Sequence, residues 1–121
     1  TYKVIKDLAV SLGREVITVN DSPGLAVSRL YLILVNEAAK LVYEGVASAE
    51  DVDKGCRLGL GHAMGPLTTS DMINGMGIAA HGLDYLRAIL GDEYKPCPLI
   101  RKKLLAGEMG KPAGKGFYDY E

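Results

Sequence analysis

The sequence predicts an all-α domain of about five helices, preceded by a helix–strand piece of an α/β domain. Three observations predict it. Apolar residues recur at helical spacing along most of residues 21–121, and Gly or Pro punctuates the runs. One β-branched stretch, Glu15-Val16-Ile17-Thr18-Val19, reads as a strand, yet no later segment offers it a partner. A lone strand cannot satisfy its backbone groups, so residues 1–20 read as the tail of another domain. Thr1 rather than Met opens the chain, which fits a piece of a longer protein.

The elements follow in order. Val4, Ile5, Leu8, Ala9 and Leu12 keep helical spacing, and Gly13 stops the run. Asp21-Ser22-Pro23 is a helix start, with a capping side chain and then Pro in the first turn. The helix it opens runs to Gly45. Leu30, Leu34, Ala38 and Leu41 form one apolar face, and Val27, Tyr31 and Val35 a second. A helix apolar on two sides must be covered on both, so this one predicts a homodimer.

Ser48 caps the next helix, with Glu50 and Asp51 where the helix dipole favours acids. Val52, Cys56 and Leu60 give it an apolar stripe. Gly59, Gly61 and Gly65 break the chain, and Pro66 opens a short helix to about Ile73. Gly75-Met76-Gly77 reads as a turn, followed by a helix over 78–90 that Gly91 stops. Pro98 opens the last helix, ended by Gly107. A Gly- and Lys-rich tail closes on Phe117-Tyr118-Asp119-Tyr120.

Composition excludes several classes. Lys and Arg number 14 against 15 Asp and Glu, so no global charge draws nucleic acid. The longest apolar run, residues 30–35, is far short of the ~20 residues a membrane span needs. Cys56 and Cys97 make neither a disulfide framework nor a metal cluster, and read as reduced thiols of a cytoplasmic protein.

Local motifs do not assemble a catalytic centre. Gly59-x-Gly61-x-x-x-Gly65 has one residue too many for a dinucleotide fingerprint and follows a helix instead of a strand. Gly110-x-x-x-Gly114-Lys115 is a residue short of a P-loop, and Gly116 stands where a magnesium-binding hydroxyl is needed. Neither His62 nor His81 has a nearby acid to orient it as a base. Asp71 reads as a local hydrogen-bonding residue and Arg29 as a solvated or ion-paired one. Between residues 95 and 116, six Lys and Arg face Glu108 alone. Solvated helix faces account for most such runs, and a surface for an anionic ligand is the alternative.

The order of landmarks is more specific than any of these. Asp21-Ser22-Pro23-Gly24-Leu25 is followed by Val27-Ser28-Arg29-Leu30, by Asn36-Glu37-Ala38, and by Glu44-Gly45-Val46-Ala47-Ser48-Ala49-Glu50-Asp51-Val52-Asp53. Met64-Gly65-Pro66-Leu67 with Asp71, then Gly114-Lys115-Gly116-Phe117-Tyr118-Asp119-Tyr120, complete the series. Together they resemble the C-terminal domain of the 3-hydroxyacyl-CoA dehydrogenase family, nearest its 3-hydroxybutyryl-CoA type. Residues 1–20 resemble the last helix and strand of the family's Rossmann domain, and 21–121 its helical substrate-binding and dimerisation domain.

The resemblance implies a division of labour. The family's N-terminal Rossmann domain binds NAD and carries a catalytic His–Glu pair. Its helical domain closes the acyl-CoA cleft and builds the homodimer. No catalytic residue and no metal ligand is therefore expected in this chain, which is expected to be inactive alone. Ser28 stands where the family usually has a substrate-holding Asn, and is expected to face the cleft. Met64, Gly65 and Pro66 are expected at the cleft wall, although a Gly-Pro pair also simply starts helices. The chain further departs from the family at Ala63, usually Pro, and at Ile73-Asn74-Gly75-Met76-Gly77. Relatives acting on other hydroxyacids keep similar domains, and a helical oligomerisation module or an acyl-CoA-binding domain without redox chemistry are the other readings.

Overall fold

Short helices, some started by local chemistry and some by distant partners, account for most of the architecture. The computed structural model describes residues 2–11 and 26–120. Six α-helices lie in them: α1 (Tyr2–Ser11), α2 (Ala26–Tyr43), α3 (Ala49–Gly59), α4 (Pro66–Met72), α5 (Met76–Leu90) and α6 (Pro98–Leu105). Five of these fall within the expected helical domain. The first falls where the N-terminal remnant was expected. The expected strand and the Asp21-Ser22-Pro23 helix start lie outside the described residues. Among the described residues there is no strand, only isolated bridges pairing Lys115 with Gly110 and with Asp119.

The helix starts are chemically explicit. Ser48 accepts a 3.1 Å hydrogen bond from the Asp51 amide, capping α3 as its sequence predicts. Pro66 and Pro98 open α4 and α6, where a missing amide hydrogen costs nothing. The expected turn at 75–77 is instead the start of α5, two residues earlier than periodicity suggests. The Met76 amide donates to the Met109 carbonyl at 3.1 Å, so a distant segment satisfies this helix end.

The core is built on α2. Leu32, Val35, Ala38 and Ala39 face Leu67 of α4, Ala79, Ala80, Leu83 and Leu86 of α5, and Ile100 of α6. The close approach of α2 and α5 needs Gly82, since a Cβ there would stand 2.8 Å from Leu32 Cδ1. Asn36 sits in this apolar interior, fully buried. Its side chain donates to the Lys95 carbonyl at 2.9 Å and accepts from the Cys97 amide at 2.8 Å. That pairing fixes the segment entering α6, and it removes the cost of burying an amide.

The two expected faces of α2 need redrawing. Tyr31, Val35 and Ala38 turn inward, whereas Val27 and Leu30 are 64% and 68% exposed. With half-buried Leu34 and exposed Leu41, they form an apolar line opposite the core, so α2 does have two apolar faces. The inward one includes Asn36, a polar position that apolar counting skips. In α3, Val52 is buried but Leu60 is 66% exposed, because Gly59 and Gly61 end the helix before the stripe is complete.

Candidate functional site

Two buried carboxylates organise the end of the molecule that carries the Met64-Gly65-Pro66 loop. Asp53 of α3 is 1% exposed and Asp71 of α4 is fully buried. Asp53 Oδ1 accepts the Leu67 amide at 2.9 Å, and its Oδ2 accepts the Thr68 amide at 2.9 Å. Oδ2 also accepts the Thr68 hydroxyl and the Tyr118 phenol, each at 2.6 Å. Leu67 and Thr68 belong to the first turn of α4, whose amides have no partner within the helix. Gly65 occupies the cap position without a side chain, so Asp53 caps α4 from another helix.

Asp71 holds the tail. Its Oδ1 accepts the Phe117 amide at 2.9 Å, and its Oδ2 accepts the Tyr118 amide at 3.0 Å and the Tyr120 phenol at 2.7 Å. The local role expected for Asp71 is thus overturned: its partners lie 46 to 49 residues away. Burial first, and then the bond to Asp53, push the Tyr118 phenol well above its ordinary value. Burial and then the bond to Asp71 do the same to Tyr120. Both phenols stay protonated and donate.

The expected site residues are differently placed. Gly65 and Pro66 are buried, and a Cβ on Gly65 would collide with the Asp53 side chain. Met64, beside them, is 46% exposed. Ser28 lies in the first turns of α2 and is exposed. It stands four residues before buried Leu32 and seven before buried Val35, so it continues the inward face beyond the core. Its neighbour Arg29 donates to the Tyr94 phenol at 3.0 Å and lies 5.7 Å from that ring's centre, an aromatic partner instead of solvent or an acid.

The basic surplus of 95–116 is largely answered within the chain. Lys103 and Lys115 each lie 3.6 Å from Glu108, and Lys115 is 3.4 Å from Asp119. Asp119, and then Glu108, hold the Lys115 ammonium above its ordinary value. Arg101 pairs with Asp84, Lys102 lies over Tyr43, and Lys111 over Tyr120. Neither Gly-rich stretch has the surroundings of its motif: Gly59 ends α3 and Gly65 precedes α4, with no strand before them among the described residues for a dinucleotide fingerprint, while residues 111–113 form a 3₁₀ turn in place of a P-loop. Among the described residues no His, Cys, Asp and Glu cluster could hold a metal, and no pocket is enclosed.

Residues 24–120 match the family model for the 3-hydroxyacyl-CoA dehydrogenase C-terminal domain. The chain belongs to this family. It is 46% identical over 115 residues to a probable 3-hydroxybutyryl-CoA dehydrogenase of Bacillus subtilis, covering 94% of this chain and 40% of that protein. It is 38% identical to a 3-hydroxybutyryl-CoA dehydrogenase of Bradyrhizobium diazoefficiens, over 99% of this chain and 41% of that one. The crystal structure of (S)-3-hydroxybutyryl-CoA dehydrogenase PaaH1 from Ralstonia eutropha superposes with a TM-score of 0.90 at 37% identity. The match covers 98% of this chain and 42% of that one. The chain thus spans about two fifths of these relatives. Its helical architecture agrees with membership of that C-terminal-domain family.

Proposed function

We propose that this chain is the substrate-closing and dimer-forming part of an NAD-dependent dehydrogenase acting on short 3-hydroxyacyl-CoA substrates, 3-hydroxybutyryl-CoA foremost. The observation that carries the reading is Ser28. It continues the buried face of α2, yet it is exposed. A hydroxyl in that register suits a surface completed by another domain. There it donates to or accepts from an oxygen of the acyl-CoA. Met64 offers exposed apolar surface to the acyl chain in this reading, with Gly65 and Pro66 as the buried backing of that wall.

NAD and the proton-abstracting base belong to an N-terminal Rossmann domain of the longer protein. When bound, NAD supplies the hydride acceptor. This chain's part is to bind and orient the acyl-CoA and to exclude water from it. The names of the relatives support the short acyl class. Free Cys56 and Cys97 support a cytoplasmic location, where fatty-acid and short-chain acyl-CoA metabolism would use the enzyme.

The exposed line Val27, Leu30 and Leu41 on α2 supports a homodimer, since a two-fold axis covers the same stripe on both subunits. The same stripe favours the second reading, a helical oligomerisation module without substrate contact. An NAD-linked assay of the longer protein on 3-hydroxybutyryl-CoA and longer homologues separates the two. Turnover that falls with chain length supports the dehydrogenase, and turnover on none of them contradicts it.

A further inference from the structure

We propose that the C-terminal tail, residues 110–120, is a clasp on α4, and that Tyr118 is a positioning residue acting through Asp53 on the Met64-Gly65-Pro66 loop. The inference rests on the reading of that loop as part of the acyl-CoA cleft. Helix α4 has only 7 residues, too few to hold itself in water. It is secured at both ends by carboxylates that also grip the tail. Asp53 fastens the first turn through the Leu67 and Thr68 amides, and Asp71 lies in its last turn.

The tail bridges the two. The Tyr118 amide is bound to Asp71 Oδ2 while its phenol is bound to Asp53 Oδ2. One residue therefore ties the two carboxylates together. Gly116 permits this approach, because a Cβ there would overlap the Asp71 carboxylate. The Gly116 amide donates to the Tyr118 carbonyl at 2.9 Å, which fixes the turn. At the other end, Gly65 packs directly on the Asp53 side chain. Any rotation of the Asp53 carboxylate moves the cap of α4 and the loop before it together. The Tyr118 phenol is the contact from outside α3 and α4 that opposes such a rotation.

Tyr120 supplies the control. Its phenol binds Asp71 alone, at the far end of α4 from the loop. Tyr118→Phe and Tyr120→Phe each remove one hydroxyl and keep the ring. The full-length enzyme is assayed for KM and kcat with each substrate, and amide exchange is followed at Leu67 and Thr68. In Tyr118→Phe, the KM for 3-hydroxybutyryl-CoA should rise by up to about fivefold, the limit set by the one hydrogen bond removed. The KM for NAD should not change, and amide exchange at Leu67 and Thr68 should quicken. Tyr120→Phe should leave the acyl-CoA KM and these two amides as they are. Equal effects of the two variants, or unchanged exchange in Tyr118→Phe, overturn the clasp. Faster exchange with an unchanged acyl-CoA KM leaves the clasp standing and overturns the reading of the loop as cleft wall, and with it the positioning role.

Discussion

The Tyr118 phenol donates to Asp53 Oδ2 at 2.6 Å, joining residues 65 positions apart in the chain. The bond closes a network in which two buried carboxylates accept four amides, two phenols and a hydroxyl. Buried charge is tolerated only with such full satisfaction. Two features follow from it: the tail cannot leave without stripping Asp71 of its three partners and Asp53 of its phenol, and α4 cannot move without disturbing the tail.

The first prediction concerns alkaline pH. Burial, and then their carboxylate partners, raise the pKa of Tyr118 and Tyr120 in the folded chain. A phenol with a higher pKa folded than unfolded stabilises the fold while protonated. That contribution is complete below about pH 10, the ordinary phenol value, and is lost as pH rises above it. Urea unfolding from pH ~8 to ~11 should show a steeper loss of stability in the native chain than in the Tyr118→Phe, Tyr120→Phe double variant. Parallel curves would contradict the network.

The second prediction contrasts two glycines. A Cβ at Gly116 would overlap the Asp71 carboxylate and stand 2.8 Å from the Gly110 Cα. Gly116→Ala should cost about 2–3 kcal/mol, a typical overpacking penalty. Gly55 lies within α3, with nothing inside 4 Å of its would-be Cβ. Gly55→Ala should stabilise by about 0.5–1 kcal/mol through helix propensity. Denaturant midpoints of the two variants should move in opposite directions.

Much of the fold was legible because its signals are local. Ser48, Pro66 and Pro98 each start a helix by chemistry within four residues, and the all-α architecture followed from them. The start of α5 was misplaced because its amide partner, Met109, lies 33 residues on. Asp71 reads as a local hydrogen-bonding residue and Asp53 only as part of a family landmark, since only the folded tail brings Tyr118 and Tyr120 to them. A usable signal did exist: Gly65 and Gly116 stand where a backbone must lie against each acid. Ser28 could be named only through the family resemblance, for no local pattern separates it from a surface serine.

The third prediction is association. The line of Val27, Leu30 and Leu41 on α2 is opposite the core, and burying such apolar surface is worth about 25 cal/mol per Å². Sedimentation equilibrium of the 12.9 kDa chain at micromolar concentration should give twice that mass. Leu30→Glu should return the monomer without altering the core, from which it points away. A native chain sedimenting at 12.9 kDa would contradict the dimer.

The central claim is that Ser28 faces the acyl-CoA cleft of a dehydrogenase, and one comparison tests it most directly. The measurement is kcat/KM for NAD-linked oxidation of 3-hydroxybutyryl-CoA by the full-length enzyme and its Ser28→Ala variant. Ser28 is exposed, so the substitution leaves the core intact. Loss of a hydrogen bond worth about 1 kcal/mol should lower kcat/KM by about fivefold at unchanged thermal stability. Equal kcat/KM for the two proteins would contradict the claim.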